Sequence, residues 1–377
     1  MADTLFYQVL VTSGGASYDL SRDLAAFTWE QDDTRPDQLS LQVPDGHKVF
    51  SHALQEGMKI ELSFGTDVEH AVVFRGRIYS VDMNVPRASA PELTVRALDR
   101  SAELGTHKTT RRWDEKPLST VVKDVLAPYG FGEPALEISP DPDVKAVQEG
   151  TTDLKFLSQL CDEYGCVLYV EQRPGDERVH FAGKSQLVQA EPELQLYHGR
   201  CGVPDVLDEF DATVDARRSE IPYVLTGVDR KTGKPLDPIT VEPRSPGVVD
   251  DPFLAENLAA IADPTKRALL QQLIDAAPAA AAEIRKLRLA EDGVEHDRSK
   301  PALTTTAELR LKADNWVSTR ALGMSATGGS AGLPRLRART LVELLDVGGR
   351  FSGRWYVSRV KHSVGLGGYR TEFDCQR

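Results

Sequence analysis

Four side chains of the kind that bind transition metals lie close together along the chain. Four residues separate Cys161 from Cys166, and two separate His198 from Cys201. Thiolates and imidazoles are the usual ligands of tetrahedral zinc, so the set has the composition of a metal site. The first pair departs from the two-residue spacing of a zinc knuckle. Cys161 also falls on the apolar face of a predicted helix, and Cys166 opens a predicted strand. Small buried thiols account for both, and no metal ligand is assigned.

Other chemistry is no better organised. His296 and His362 lie near carboxylates and serines, but closeness in sequence does not make a triad. No His-Glu-x-x-His pattern is present. Gly328-Gly329 and Gly365-Leu366-Gly367-Gly368 lack the Lys-Ser/Thr of a phosphate loop, and turns explain them better. Asp141 and Asp143 lack the glycine and distal glutamate of a calcium loop. The pairs Asp114-Glu115 and Asp162-Glu163 are common in an acidic chain, and nothing in their spacing makes a hydrolytic dyad. No catalytic, cofactor-binding or metal-binding residue is assigned, no cofactor is expected, and the expectation is a protein that is not an enzyme. Arg335, Arg337 and Arg339 alternate with Leu336, Ala338 and Thr340. On a strand this puts three guanidinium groups on one face, either solvated or turned toward an acidic partner or a channel.

The elements that would position these groups are mostly strands. Segments 38–43 and 59–64 alternate polar and apolar residues, and 72–81 and 92–98 follow with turn residues between them. This pattern predicts a small barrel or sandwich over the first 100 or so residues. The period then changes. Segment 117–129 has Leu118, Val121, Val122 and Val125 at helical spacing, with Pro117 suited to a first turn. Segment 153–164 is the clearest helix: Leu154, Phe156, Leu157, Leu160 and Cys161 form its apolar face, Thr152 or Asp153 caps it, and Gly165 ends it. Strands at 167–170 and 178–181 complete an α+β module. Strands resume over 206–228. An Ala-rich segment from 250 to 292 favours helix, interrupted at Pro264 and Pro278. Helix at 304–316, a flexible loop at 325–332, and strands at 341–344, 353–360 and 369–373 close the chain.

The bulk composition narrows the function. The chain has 377 residues, 41% hydrophobic and 27% charged, with a net charge of −12. A strong negative balance argues against nucleic acid as the main partner. The charge is uneven: residues 301–377 carry 12 Lys/Arg against 6 Asp/Glu. Such a split suits stacking of unlike surfaces, as well as chance differences between solvated faces. Four cysteines do not make a disulfide framework. The start has neither a basic segment nor a long apolar run, so synthesis in the cytoplasm without a signal peptide or membrane span is expected.

Three stretches together carry a resemblance. Thr152-Asp153, Phe156-Leu157, Leu160 and Tyr164-Gly165 follow a T-D-x-x-F-L-x-x-L-x-x-x-Y-G pattern similar to that of phage late control protein D and the hub portion of VgrG spike proteins. Phe351-Ser352-Gly353-Arg354-Trp355-Tyr356-Val357 and Gly367-Gly368-Tyr369-Arg370-Thr371-Glu372-Phe373 resemble that family's last strand pair. Arg96-Ala97-Leu98-Asp99 followed by Pro117-Leu118-Ser119 resembles the join after its first barrel. The resemblance is weakest from about 230 to 300.

It implies a mainly β fold with an α+β middle module, and two tube-like β-barrel domains in one chain. A homotrimer would then form a pseudo-sixfold ring. The expected domains are 1–105 (first barrel), 106–185 (middle module), 186–249 with 300–377 (second barrel), and 250–299 (a helical or flexible insertion). The implied role is the structural baseplate hub of a contractile injection particle, joining a sixfold inner tube to a threefold spike within a virion tail or phage tail-like particle. Implied partners are two further copies of itself, an inner tube protein, a separate trimeric spike protein and other baseplate proteins. A tail-associated cell-wall hydrolase or an adhesin is the alternative.

Overall fold

Alternation in the first hundred residues places one apolar row of each strand on a common face. In the computed structural model, residues 4–87, 90–173, 175–199, 205–214, 223–241, 254–291, 295–296, 303–320 and 323–377 are described. The fold is mainly β, with 48% strand and 22% helix. The first β unit comprises β1 (Leu5–Ser13), β2 (Ala16–Asp19), β3 (Ala26–Asp32), β4 (Gln38–Pro44), the short helix α1 (Phe50–Ala53), β5 (Lys59–Thr66), β6 (His70–Asn84) and β7 (Glu92–Asp99). Its strands pair antiparallel in the order β3-β4-β7-β6-β5-β1-β2. Their inward rows, among them Phe27, Trp29, Leu39, Leu41, Leu62 and Phe64, form one core.

The middle module comprises β8 (Lys108–Pro117), α2 (Leu118–Leu126), β9 (Ala135–Glu137), β10 (Asp143–Thr152), α3 (Asp153–Tyr164), β11 (Cys166–Arg173), β12 (Asp176–Gly183) and α4 (Lys184–Leu187). Helix α3 starts at its own capping residue, and α2 is met at its start by a carboxylate from a later loop. The Ser119 N–H donates to Asp141 at 3.0 Å in the first turn of α2. The Thr152 hydroxyl accepts from the Lys155 N–H, and Gly165 ends α3 with φ of 66°. Asp141 is therefore an acceptor at a helix start. Leu118, Val121, Phe156, Leu157 and Leu160 build the module's core, which Leu225, Val241, Leu303 and Leu309 also enter.

The remaining elements are β13 (Leu194–His198), β14 (Val206–Leu207), β15 (Glu209–Val214), β16 (Tyr223–Leu225), β17 (Ile239–Val241), α5 (Leu254–Ala259), α6 (Pro264–Glu291), β18 (Glu295–His296), α7 (Thr306–Arg320), β19 (Met324–Ser330), β20 (Thr340–Leu345), β21 (Gly353–Gly365) and β22 (Gly368–Gln376). Pro264 opens α6 behind Asp263, whose carboxylate accepts from the Thr265 N–H at 2.8 Å. Pro278 lies inside α6 and does not end it. It removes one backbone hydrogen bond, while the alanines that follow it favour helix. A third core gathers Leu196, Leu336, Val342, Trp355, Val357 and Phe373.

The two β units share one sheet. β21 pairs antiparallel with β3, from Arg359 opposite Asp32 to Val364 opposite Phe27. The result is a 14-stranded sheet that runs through both units. Among the described residues these ladders do not close into a barrel.

Segment 325–332, expected as a loop, is mostly strand: β19 pairs with β15 on one side and β22 on the other. Its glycines are room for neighbours. A Cβ on Gly328 would lie 2.3 Å from the Phe373 ring, and one on Gly329 would lie 2.6 Å from a Glu209 carboxylate oxygen. Gly328→Ala is expected to cost about 1–3 kcal/mol by overpacking, read as a lower denaturant midpoint. Phe373→Leu in the same chain should restore part of the loss, and an unchanged midpoint for the single variant would refute the crowding.

Candidate functional site

The inward rows of three neighbouring strands each end in a polar residue. In β3 the row is Phe27, Trp29, Gln31; in β7 it is Leu93, Val95, Ala97, Asp99. Asp37 stands one step ahead of the row Leu39, Leu41, Val43 in β4. All of these side chains are buried. The geometry gathers them at the end of the first core, where the second unit's chain arrives just before β20. Residues 331–339 run as turns and irregular chain, so Arg335, Arg337 and Arg339 do not share a strand face. Leu333, Leu336 and Ala338 are buried in the third core instead, and the three arginines diverge.

Arg335 pairs with Asp205 at 2.9 Å and is half exposed. The Arg337 guanidinium lies 4.9 Å from the centre of the Trp29 ring and donates to the backbone carbonyls of Pro334 and Leu336. Arg339 is the deepest. Its φ of 67° is left-handed, a conformation that costs energy in a side-chain-bearing residue. The Arg339 N–H donates to the Val357 carbonyl at 2.7 Å, which holds that turn. From there its guanidinium crosses into the first unit, donating to Asp37 at 2.7 Å and to the Asp32 carbonyl. It also lies 4.9 Å over the Tyr169 ring of the middle module. One side chain thus touches all three parts of the fold.

The partners are themselves held. Gln31 donates to Asp37 at 3.2 Å and accepts from the Ala338 N–H at 3.3 Å. Asp99 accepts from the Ser101 N–H at 2.9 Å and from the Asp37 N–H at 3.3 Å. Burial first, then the neighbouring Asp37 charge, push the Asp99 carboxyl up to about 7. Outside this cluster Lys184 pairs with Asp33 at 2.9 Å. The Tyr356 hydroxyl donates to Asp33 at 3.4 Å.

His362 lies at the same seam. It stands opposite Trp29 across the β3–β21 ladder, and its ring stacks on the indole at 5.0 Å. Burial first, then the Arg337 charge, hold its basicity well below the usual histidine range. In the neutral ring, Nε2–H donates to the Leu336 carbonyl at 3.1 Å and Nδ1 accepts from the Tyr369 hydroxyl at 2.8 Å. His362 is thus a packed core group.

The other sequence candidates are not brought together. Cys201 lies outside the described residues, as does the side chain of His296. Burial raises the Cys161 thiol well above its ordinary value and the Cys166 thiol to about 12. Among the described residues no three His, Cys, Asp or Glu side chains are arranged to hold a metal. Asp114 is exposed and pairs with Arg112 and Lys145. Gly328-Gly329-Ser330-Ala331-Gly332 has the spacing of a nucleophile elbow. However, Ser330 ends a strand, is 3% exposed, and donates to the Val206 carbonyl at 2.6 Å. An elbow needs an exposed hydroxyl between strand and helix. Among the described residues no helix is long and apolar enough to cross a membrane.

A site of this kind joins parts of the fold. A family model for the phage tail baseplate hub (GPD) matches residues 51–367. No curated protein matches the chain in sequence. Solved structures share its fold. A tail protein from Neisseria meningitidis MC58 has a TM-score of 0.63 at 14% identity, covering 98% of this chain and 96% of that one. The 43 kDa tail protein of prophage MuSo2 from Shewanella oneidensis also gives 0.63, at 12% identity over 99% and 98% of the two chains. An E. coli component of the type VI secretion system, described as structurally similar to the T4 bacteriophage tail proteins gp27 and gp5, gives 0.51 at 12% identity over 94% and 73%. On the breadth of the family match, the chain belongs to the phage tail baseplate hub (GPD) family.

Proposed function

We propose that this chain is the structural hub that adapts a sixfold inner tube to a threefold spike in a contractile injection particle, with three copies closing a ring. The observation that carries this reading is the shared sheet: β3 and β21 fuse two β units side by side in one chain. Three such chains present six β units in a ring, while keeping the threefold symmetry that a trimeric spike needs. A symmetry adaptor also needs its two units held at a fixed angle. The Arg339–Asp37 contact and the Trp29–His362 stack supply that at the seam. The division into 1–105, 106–185, and 186–249 with 300–377 serves the same reading, with 250–299 as a peripheral contact to other baseplate proteins. The role proposed is mechanical, with no chemical step, and its place is the tail of a virion or phage tail-like particle.

Electron microscopy of the chain co-expressed with its neighbouring tube and spike genes tests this. Rings with threefold symmetry and an open centre, seated between tube and spike, are the expected result. A monomer that binds neither neighbour would remove the hub role and leave only the family and the fold.

A further inference from the structure

Asp37 and Asp99 belong to the first β unit and Arg339 to the second. They are 4%, 4% and 7% exposed, and Arg339 reaches Asp37 from across the seam. The Arg339 guanidinium meets the Asp37 carboxylate directly, and the Asp99 carboxylate lies behind it on the Asp37 N–H. With both ionised, the cluster carries one more negative charge than Arg339 matches. The surrounding groups do not supply the missing cation. Lys184 is committed to Asp33. Arg100, next in the chain to Asp99, is turned to Glu177 and Glu103. Tyr169 and Tyr356 near Arg339 are held in their neutral forms, Tyr169 with its hydroxyl pushed up to about 12. His362 and Arg337 flank Trp29 at the same seam.

We propose that Asp99, Asp37 and Arg339 form a pH-sensitive latch between the two β units: the seam closes with a proton on the carboxylate pair and loosens when that proton leaves to solvent. A neutral Asp99 still accepts from Ser101, and the remaining charge on Asp37 is then matched by Arg339. The direction follows from linkage. Asp99 is raised by burial and by Asp37 to about 7. Its contribution to closure is complete below the ordinary aspartate value of about 3.9, is lost as pH rises to about 7, and is constant above that. His362 works the other way. Held neutral, it supports closure above about pH 6.5 and loses that support as pH falls. Below about pH 6.5 the two trends oppose each other in the native chain, so a variant ratio is needed to read Asp99.

Amide hydrogen exchange on the full chain gives that ratio. The Asp33 N–H donates across the seam to the Ser358 carbonyl, and the β3–β21 ladder amides report with it. Protection, corrected for intrinsic exchange, is compared between Asp99→Asn and the native chain from about pH 5 to 9. The variant-to-native ratio should rise about tenfold per pH unit up to about 7 and level off above it. A ratio that stays flat across the range overturns the latch. A carboxyl carbon NMR titration of the native protein does not depend on the variant folding. An Asp99 midpoint near 7 is expected, and one in the ordinary aspartate range overturns the proposal.

Discussion

Arg339→Met is expected to lower the unfolding free energy by about 3–5 kcal/mol, the usual cost of breaking a buried ion pair from one side. The loss follows from what is left behind more than from what is removed. Asp37 keeps only the weak donation from Gln31 at 3.2 Å, and its charge then sits beside Asp99 in a site closed to water. The Asp32 carbonyl loses its donor and Tyr169 loses its cation. Adding Asp37→Asn should recover the larger part, because a neutral amide is far cheaper to bury than an unpaired carboxylate. Arg339→Lys should fall between the two. It keeps the charge but loses the planar fork that reaches Asp37 and Asp32 while stacking on Tyr169. Denaturant midpoints of the two single variants and the double variant decide the matter. A single-variant loss below about 1 kcal/mol would mean that the pair is worth no more than a surface contact.

Much of the scaffold was readable because its signals are local. The α3 helix was fixed by Thr152 at one end and Gly165 at the other, and both act where expected. The seam was harder. Its polar residues sit in the inward phase of strands already recognised: Asp99 follows Leu93, Val95 and Ala97, and Asp37 precedes Leu39, Leu41 and Val43. A carboxylate in a core row was the available signal. Alternation marks a strand by its majority phase, and a single carboxylate in that phase does not change the pattern. The partner could not be found that way, since Arg339 lies 302 residues from Asp37 and its approach depends on a left-handed turn.

Two misreadings share a cause. The glycines of 325–332 looked like flexibility, and the alternating arginines of 335–339 looked like a strand. In each case tertiary neighbours decide. Phe373 and the Glu209–Arg370 pair occupy the space where side chains on Gly328 and Gly329 would be. Leu333, Leu336 and Ala338 turn into the third core and pull the chain out of extended form. Composition describes the residue, whereas its conformation was set from across the sheet.

The same seam should also report whether the two β units unfold as one body. Trp29 is fully buried and belongs to the first core, yet it touches groups from the second unit on two sides. His362 stacks on it across the ladder, and Arg337 lies over its ring. Trp29→Ala is expected to cost about 3–5 kcal/mol from lost transfer energy and the cavity left behind. It should also split a single thermal transition into two, because the removed ring is shared. Trp355 makes the comparison. It is equally buried, packs edge-on against Phe210 at 5.7 Å, and donates to the Phe351 carbonyl at 2.8 Å, all within the second unit. Trp355→Ala should cost a similar amount but leave the first unit's transition in place. Trp29→Phe should be much milder, since the indole N–H has no hydrogen-bond partner among the described residues and a ring remains for His362 and Arg337. Calorimetry on the three variants separates the cases. One cooperative transition in Trp29→Ala, shifted no further than in Trp29→Phe, would show that the backbone ladder between β3 and β21 couples the units without the ring.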